Sequence, residues 1–201
     1  MAATGQTRIE RAGFYEPQRN LPHFDPRNGA EGRFALQFAK AYRAQFPALH
    51  RPSRNRSIAL AREVGVNGYG IADLVAVCWN PALLSSLSQQ LDHEVFLRKA
   101  RPTVRAFEVK LLDWRKALMQ ASRYRFFAQA ALVVLPRQKC SAALKHLDTF
   151  QAVGIGLWSF DSKHSRITRH FTPRPAEPPD KRQRTRVLEV VARASKALPV
   201  A

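Results

Sequence analysis

Three charged side chains stand in runs where charge is costly. In Ile71-Ala72-Asp73-Leu74-Val75-Ala76, strand alternation puts Ile71, Asp73 and Val75 on one face and Ala72, Leu74 and Ala76 on the other. An aspartate inside so apolar a strand is expensive to bury unless something compensates its charge. In Ala106-Phe107-Glu108-Val109-Lys110-Leu111, Glu108 and Lys110 are two apart, so both side chains leave the same face. Two carboxylates and an ammonium in otherwise hydrophobic strands suit a metal-binding acidic site with a charged helper beside it. The plainer alternatives are a turn-capping Asp73 and a same-face ion pair of Glu108 with Lys110.

The elements that must position them follow from pattern. Residues 1–27 are polar and broken by Pro17, Pro22 and Pro26, which predicts a flexible N-terminal arm. Asn28 is a candidate N-cap, with Glu31 placed as in a capping box. Phe34, Leu36, Phe38, Ala41, Tyr42 and Phe46 give a helical stripe over Ala30 to Phe46, with Pro47 as its stop. Arg51, Arg54 and Arg56 form a basic loop. Ile58 to Val66 reads as a strand, and Asn67-Gly68 as a hairpin turn into the Asp73 strand. Pro81 to Arg101 is an insertion ending in Arg98, Lys99 and Arg101.

Val104 to Leu112 is the strand of Glu108 and Lys110. Asp113 caps the next helix, which the pattern carries to about Gln129 with Trp114, Ala117, Leu118, Ala121 and Ala128 inward. Gln120 and Tyr124, four apart, share a face of it. Ala130 to Leu135 is a wholly apolar interior strand stopped by Pro136. Ser141 to Phe150 reads as a helix, Val153 to Phe160 as a buried strand and Ile167 to Phe171 as an edge strand. A proline-rich linker, Pro173 to Pro179, leads to a basic helix over Lys181 to Leu198 with Val187, Leu188, Val191 and Ala192 apolar. The domain plan is thus an arm (1–27), an α/β domain (28–172) with a mixed central sheet flanked by helices, and a linker with a basic C-terminal helix (173–201).

Composition bounds the function. The chain has 201 residues, 45% of them hydrophobic, enough for a core. Its formal net charge of +18 and pI near 11.1 favour a polyanionic partner, nucleic acid ahead of an acidic membrane surface. Cys78 and Cys140 are the only cysteines, and they make neither a disulfide framework nor a zinc site. His23, His146, His164 and His170 have no zinc-site spacing. No apolar run approaches the ~20 residues a membrane span needs. These features predict a cytoplasmic protein with no membrane partner.

With its aspartate strand, Glu108-Val109-Lys110 strand, following helix and αβ-type ending, the stretch from Ala30 to Phe171 resembles the PD-(D/E)XK nuclease core, the restriction-endonuclease-like αβββαβ fold. Gln120-x-x-x-Tyr124 is similar to the QxxxY motif of its RecB-like branches. Ala72 departs from the motif's proline. The resemblance implies a metal-dependent deoxyribonuclease in restriction, repair or mobile-element processing, using Mg²⁺ or Mn²⁺. Asp73 and Glu108 would hold the metal with the Val109 carbonyl, and Lys110 would orient or help deprotonate the attacking water. By the same analogy Gln120 holds Lys110 or the water and Tyr124 touches the DNA backbone. Glu31, a capping residue on its own pattern, is a further acidic ligand in some members; Glu63, on the preceding strand, competes for that place.

The cations left over are candidates for phosphate contact: Arg54, Arg56, Lys99, Arg101, Arg123, Lys181 and Arg182. No base-reading module is recognisable. Members of the superfamily often pair as homodimers to cut both strands, but no interface is readable in this sequence. The competing functions are a non-catalytic nucleic-acid-binding module on the same fold and an assembly protein whose basic tail binds RNA or another protein.

Overall fold

Alternating apolar runs and one long aromatic stripe produce a six-stranded mixed sheet covered by helices on both faces. The computed structural model describes residues 29–49, 57–79 and 102–195. The N-terminal arm, Asn28, the loop with Arg51, Arg54 and Arg56, and the insertion with Arg98, Lys99 and Arg101 lie outside the described residues.

The chain forms α1 (Ala30–Leu49), β1 (Ser57–Val66), β2 (Gly70–Trp79), β3 (Thr103–Val109), α2 (Trp114–Tyr124), β4 (Ala130–Pro136), a 3₁₀ turn (Arg137–Lys139), α3 (Ser141–Leu144), α4 (Leu147–Val153), β5 (Gly156–Asp161), β6 (Arg166–Phe171) and α5 (Lys181–Ser195). The strands lie side by side in chain order. β3, β4 and β5 are parallel, whereas β1, β2 and β6 join antiparallel. Every residue of β4 but the terminal Pro136 is buried, as its unbroken apolar run requires.

One face of the sheet carries α1. Phe34, Phe38, Tyr42 and Phe46 recur every four residues and pack on Phe107, Leu132, Trp158 and Phe160. The rings meet edge-on or tilted, Tyr42 with Phe107 at 5.0 Å and Phe38 with Phe160 at 5.7 Å between centroids. Such pairs each add about 0.5–1.5 kcal/mol beyond area burial. The other face carries Trp114, Ala117, Ala121 and Tyr124 of α2, Phe150 of α4, and Val187, Leu188, Val190 and Val191 of α5. Cys78 and Cys140 are buried, one in each layer, and form no disulfide with each other.

Four local expectations need correction. Pro47 does not stop α1, which runs on to Leu49, because a proline in the last turn costs few helical hydrogen bonds. α2 ends at Tyr124, not near Gln129; Gln129 is drawn off instead to accept from Val104 N–H and donate to the Pro102 carbonyl. The helix expected over Ser141 to Phe150 is two short ones, and Val153 and Gly154 close the second, with Gly154 at φ 67° as the left-handed cap. Finally, α5 is no detached tail. Its apolar stripe is buried against β1 and β2, so burial of those valines and Leu188 accounts for its place without DNA or a partner.

Candidate active site

Register brings the sequence candidates together. Arg62 pairs with Leu74 and Val64 with Ala72, which brackets Glu63 opposite Asp73. Leu74 pairs with Phe107, so the next step sets Asp73 opposite Glu108. Glu63, Asp73 and Glu108 therefore form a row across β1, β2 and β3. At that row Glu63 adopts φ 52°, a costly left-handed conformation for a residue with a side chain. The expected strand alternation also breaks there. Leu74 packs in the α1 layer but Ala72 in the opposite layer, and Ile71 is exposed, so the two do not sit as simple alternation would have them. The break in alternation at Asp73 thus lies opposite the left-handed Glu63, a local irregularity that no alternation pattern encodes.

The bonds within the row are specific. The Val109 N–H donates to Asp73 Oδ2 at 2.7 Å, tying β2 to the end of β3. Lys110 Nζ lies 3.4 Å from Glu108 Oε1 and donates to Glu31 Oε1 at 2.7 Å. The Leu111 N–H donates to Glu31 Oε2 at 3.3 Å. Tyr124 Oη reaches both Glu108 Oε2 and the Ile71 carbonyl, the latter at 2.6 Å. One hydroxyl proton serves one acceptor at a time. When Glu108 is ionised, Tyr124 donates to it; when Glu108 is protonated, it can donate to Tyr124 while Tyr124 donates to Ile71.

Burial decides the charge states. It pushes Asp73 up to about 6, against the Val109 N–H and Lys110, with Glu31 and Glu63 adding to the rise. Burial also pushes Glu108 up to about 7, and Asp73 adds to that rise. Burial lowers the Lys110 pKa, but its bond to Glu31 and the charges of Glu108, Glu31 and Asp73 outweigh this and raise it. Tyr124 is raised by burial and then by Glu108, so it stays a neutral donor. In a chain with only fifteen acidic residues, four of them gather at this end of the sheet around one lysine. That is not the distribution of a solvated basic surface.

Three assigned roles change. Tyr124 is 1% exposed, so it cannot touch a DNA backbone; it holds Glu108 from beneath. Gln120 does not hold Lys110. Its Oε1 is shielded and makes no hydrogen bond among the described residues, while Glu31 holds Lys110 through a stronger charge-assisted bond. Glu31 accepts from Lys110 with one carboxylate oxygen and from the Leu111 N–H with the other, so it is bound to the end of β3 beside the candidate site. Sequence spacing could not find this pairing, since the partners are 79 and 80 residues apart. Arg123, Lys181 and Arg182 are exposed. The start of α5 is tied by Arg184 to the Pro102 carbonyl, ahead of β3, whereas Lys110 follows its last residue.

Two oxygen-bearing acids thus converge, with Val109 beside them. Among the described residues no three Asp, Glu, His or Cys side chains group closely enough to hold a metal ion by themselves. Tyr124→Phe leaves the Ile71 carbonyl and Glu108 short of a donor. It is expected to lower stability by about 1–3 kcal/mol, read as a fall in the urea midpoint; an unchanged midpoint would show that the hydroxyl holds nothing.

Among the described residues no helix is long and apolar enough to cross a membrane. No protein-family model, curated protein or solved structure matches the chain.

Proposed function

We propose that this chain is a metal-dependent deoxyribonuclease of the PD-(D/E)XK type, hydrolysing phosphodiester bonds. The observation that carries the reading is the β1–β2–β3 register, in which Asp73 faces Glu108 and Lys110 follows two residues on. The order helix, three strands, helix, strand over Ala30–Pro136 agrees with the αβββαβ restriction-endonuclease-like core.

The donor set fits a hard divalent cation. Asp73 and Glu108 offer oxygens from a site where burial makes their negative charge costly, and the Val109 N–H, Tyr124 and Lys110 offset that cost only in part. Mg²⁺ is typically held by one or two carboxylates, with water and substrate phosphate filling the rest. The absence of a third acidic ligand among the described residues is therefore compatible with it. Asp73, Glu108 and the Val109 carbonyl would hold the ion, which when bound supplies polarisation of a phosphoryl oxygen and a more acidic water.

The chain's own residues do the rest. Val109 N–H fixes the Asp73 rotamer and Tyr124 that of Glu108, so both carboxylates are set before substrate arrives. Lys110, raised in pKa and kept protonated by its neighbours, is placed to offset negative charge on the scissile phosphate. A cytoplasmic role in restriction, repair or mobile-element processing belongs to the same proposal.

The test is cleavage of labelled linear, circular and single-stranded DNA with Mg²⁺, with Mn²⁺, or with EDTA. Cutting is expected with either metal, and chelation is expected to stop it. If DNA is bound but no metal and no substrate gives cutting, the chain is instead a non-catalytic binding module, which the two-carboxylate donor set also suits.

A further inference from the structure

The three parallel strands end on one edge of the sheet, the edge of Glu108 and Lys110. Beyond β4 and β5 the chain is basic and exposed, and beyond β3 the exposed basic residues follow in the first turn of α2. After β3 the chain enters α2 through Asp113, with Arg115 and Lys116 in its first turn. After β4 comes the 3₁₀ turn with Lys139. After β5 comes the turn 162–165 with Lys163, and Arg166 opens β6 opposite Asp161. Trp114 stacks on His146 at 4.9 Å, which keeps the start of α2 beside the start of α4 on this same side.

The acids nearby are already engaged. Asp113 accepts the Lys116 N–H as the cap of α2. Asp148 Oδ1 accepts the Thr149 N–H. Asp161 is buried and accepts from His164 Nδ1 at 2.9 Å, with Arg137 Nη1 at 3.7 Å. Among the described residues, Lys116, Lys139, Lys163 and Arg166 pair with no acid; Arg115 lies over the Trp114 ring at 4.4 Å. A scattered solvated surface would be interleaved with free acids. This edge is not, and it runs straight into the candidate catalytic row.

We propose that the carboxyl edge of β3, β4 and β5 is the track of a nucleic-acid backbone, contacted by Arg115, Lys116, Lys139, Lys163 and Arg166. Adjacent strands are about 4.8 Å apart, so three of them and the reach of the side chains span roughly three phosphates of one strand. The track rests on the nuclease reading for where the backbone goes, namely past Lys110. Lys116, Lys139, Lys163 and Arg166 are not among the cations the sequence singled out for phosphate contact, and the track differs from the exposed start of α5.

The test uses the full chain in EDTA, so that binding is read without cutting. The probes are a fluorescein-labelled single strand and a duplex of about 20 nucleotides, titrated across salt. The variant replaces all five track residues by glutamine; Lys139→Gln with Lys163→Gln is the milder second, and Lys181→Gln with Arg182→Gln the comparison surface. The five-fold variant is expected to lose at least about tenfold in affinity, with the salt slope smaller by about 2–3. The milder pair should lose about 1–2 in slope, and the α5 pair should bind like wild type. Unchanged binding by folded track variants overturns the track whether or not wild type cuts DNA. So does a loss confined to the α5 pair, or capture by phosphatidylserine vesicles with no affinity for either oligonucleotide. Binding through the track with no cutting in Mg²⁺ or Mn²⁺ upholds the track and sinks the nuclease reading alone.

Discussion

Asp73→Asn is expected to abolish metal-dependent cleavage, by about 10³-fold or more, and to make the metal-free protein more stable above pH 6. The amide is nearly isosteric. Its oxygen can still accept the Val109 N–H, and its NH₂ can turn toward Glu108 opposite. The lost element is a buried negative charge. Because Asp73 is raised to about 6 in the fold, the native state binds its proton more tightly than the unfolded chain does. That penalty is absent below the ordinary carboxylate range near pH 4, grows between pH 4 and 6, and is complete above. Glu108, raised to about 7 partly by Asp73, adds a penalty that continues to pH 7 and is eased in the variant. The expected gain at pH 8 is on the order of 1–2 kcal/mol, with little at pH 4. Urea midpoints at pH 4, 6 and 8 in EDTA read it. A variant destabilised equally at all three would mean that Asp73 is a structural bond acceptor and not a strained ligand.

That cost of burying charge explains why these candidate residues stand out in the sequence. Charges at Asp73, Glu108 and Lys110 break apolar strands, and in β3 the spacing of two does bring Glu108 and Lys110 to one side, 3.4 Å apart. Local signals of the same kind succeeded elsewhere: Asp113 caps α2 through the Lys116 N–H, and the unbroken apolar run of β4 is interior. The α/β class with a mixed sheet followed from these strands and from the four-residue aromatic stripe of α1. The hidden part is non-local. Glu31 was assigned by its neighbours in sequence, yet its partners are Lys110 and Leu111 across the fold. Tyr124 shares a helix face with Gln120, but only packing decides that one is sealed against Glu108 while the other keeps a bare acceptor.

The end of α2 and the placement of α5 were hidden for a related reason. Helical pattern continues past Tyr124, but the chain turns off through Arg125 to Phe127, and the Gln129 side chain bonds Val104 and Pro102 instead. The basic composition of α5 suggested a tail that binds RNA or another protein, but its valines and Leu188 fill the layer above β1 and β2. Positive charge is the weakest guide of all, because it marks a partner without marking a place. The grouping of basic residues beyond β3, β4 and β5 became visible only when parallel pairing put those strand ends on one edge.

Lys110→Ala should fail as an enzyme to about the same extent as Asp73→Asn, yet with the opposite sign in stability. Lys110 bonds Glu31 at 2.7 Å and stands 3.4 Å from Glu108, and its charge lowers the pKa of both Asp73 and Glu108. Its own pKa is raised, so its stabilising contribution is fully present below the ordinary lysine range and is lost only as pH climbs through the folded value. Removing it leaves Glu108 buried without its counter-charge. Glu31, being 43% exposed by side chain, is eased by solvent. The expected loss at pH 8 is about 1–3 kcal/mol, shrinking toward pH 4 as Glu108 and Asp73 take up protons. DNA affinity in EDTA should fall by no more than a few-fold, since one of many cations is removed. The double variant Asp73→Asn with Lys110→Ala then separates the terms. If lysine stabilises by offsetting the carboxylates, the lysine loss must be smaller once Asp73 is neutral, by an interaction of about 0.5 kcal/mol or more. Additive losses would mean that Lys110 acts through Glu31 and packing alone, and the electrostatic coupling on which the catalytic reading depends would be gone.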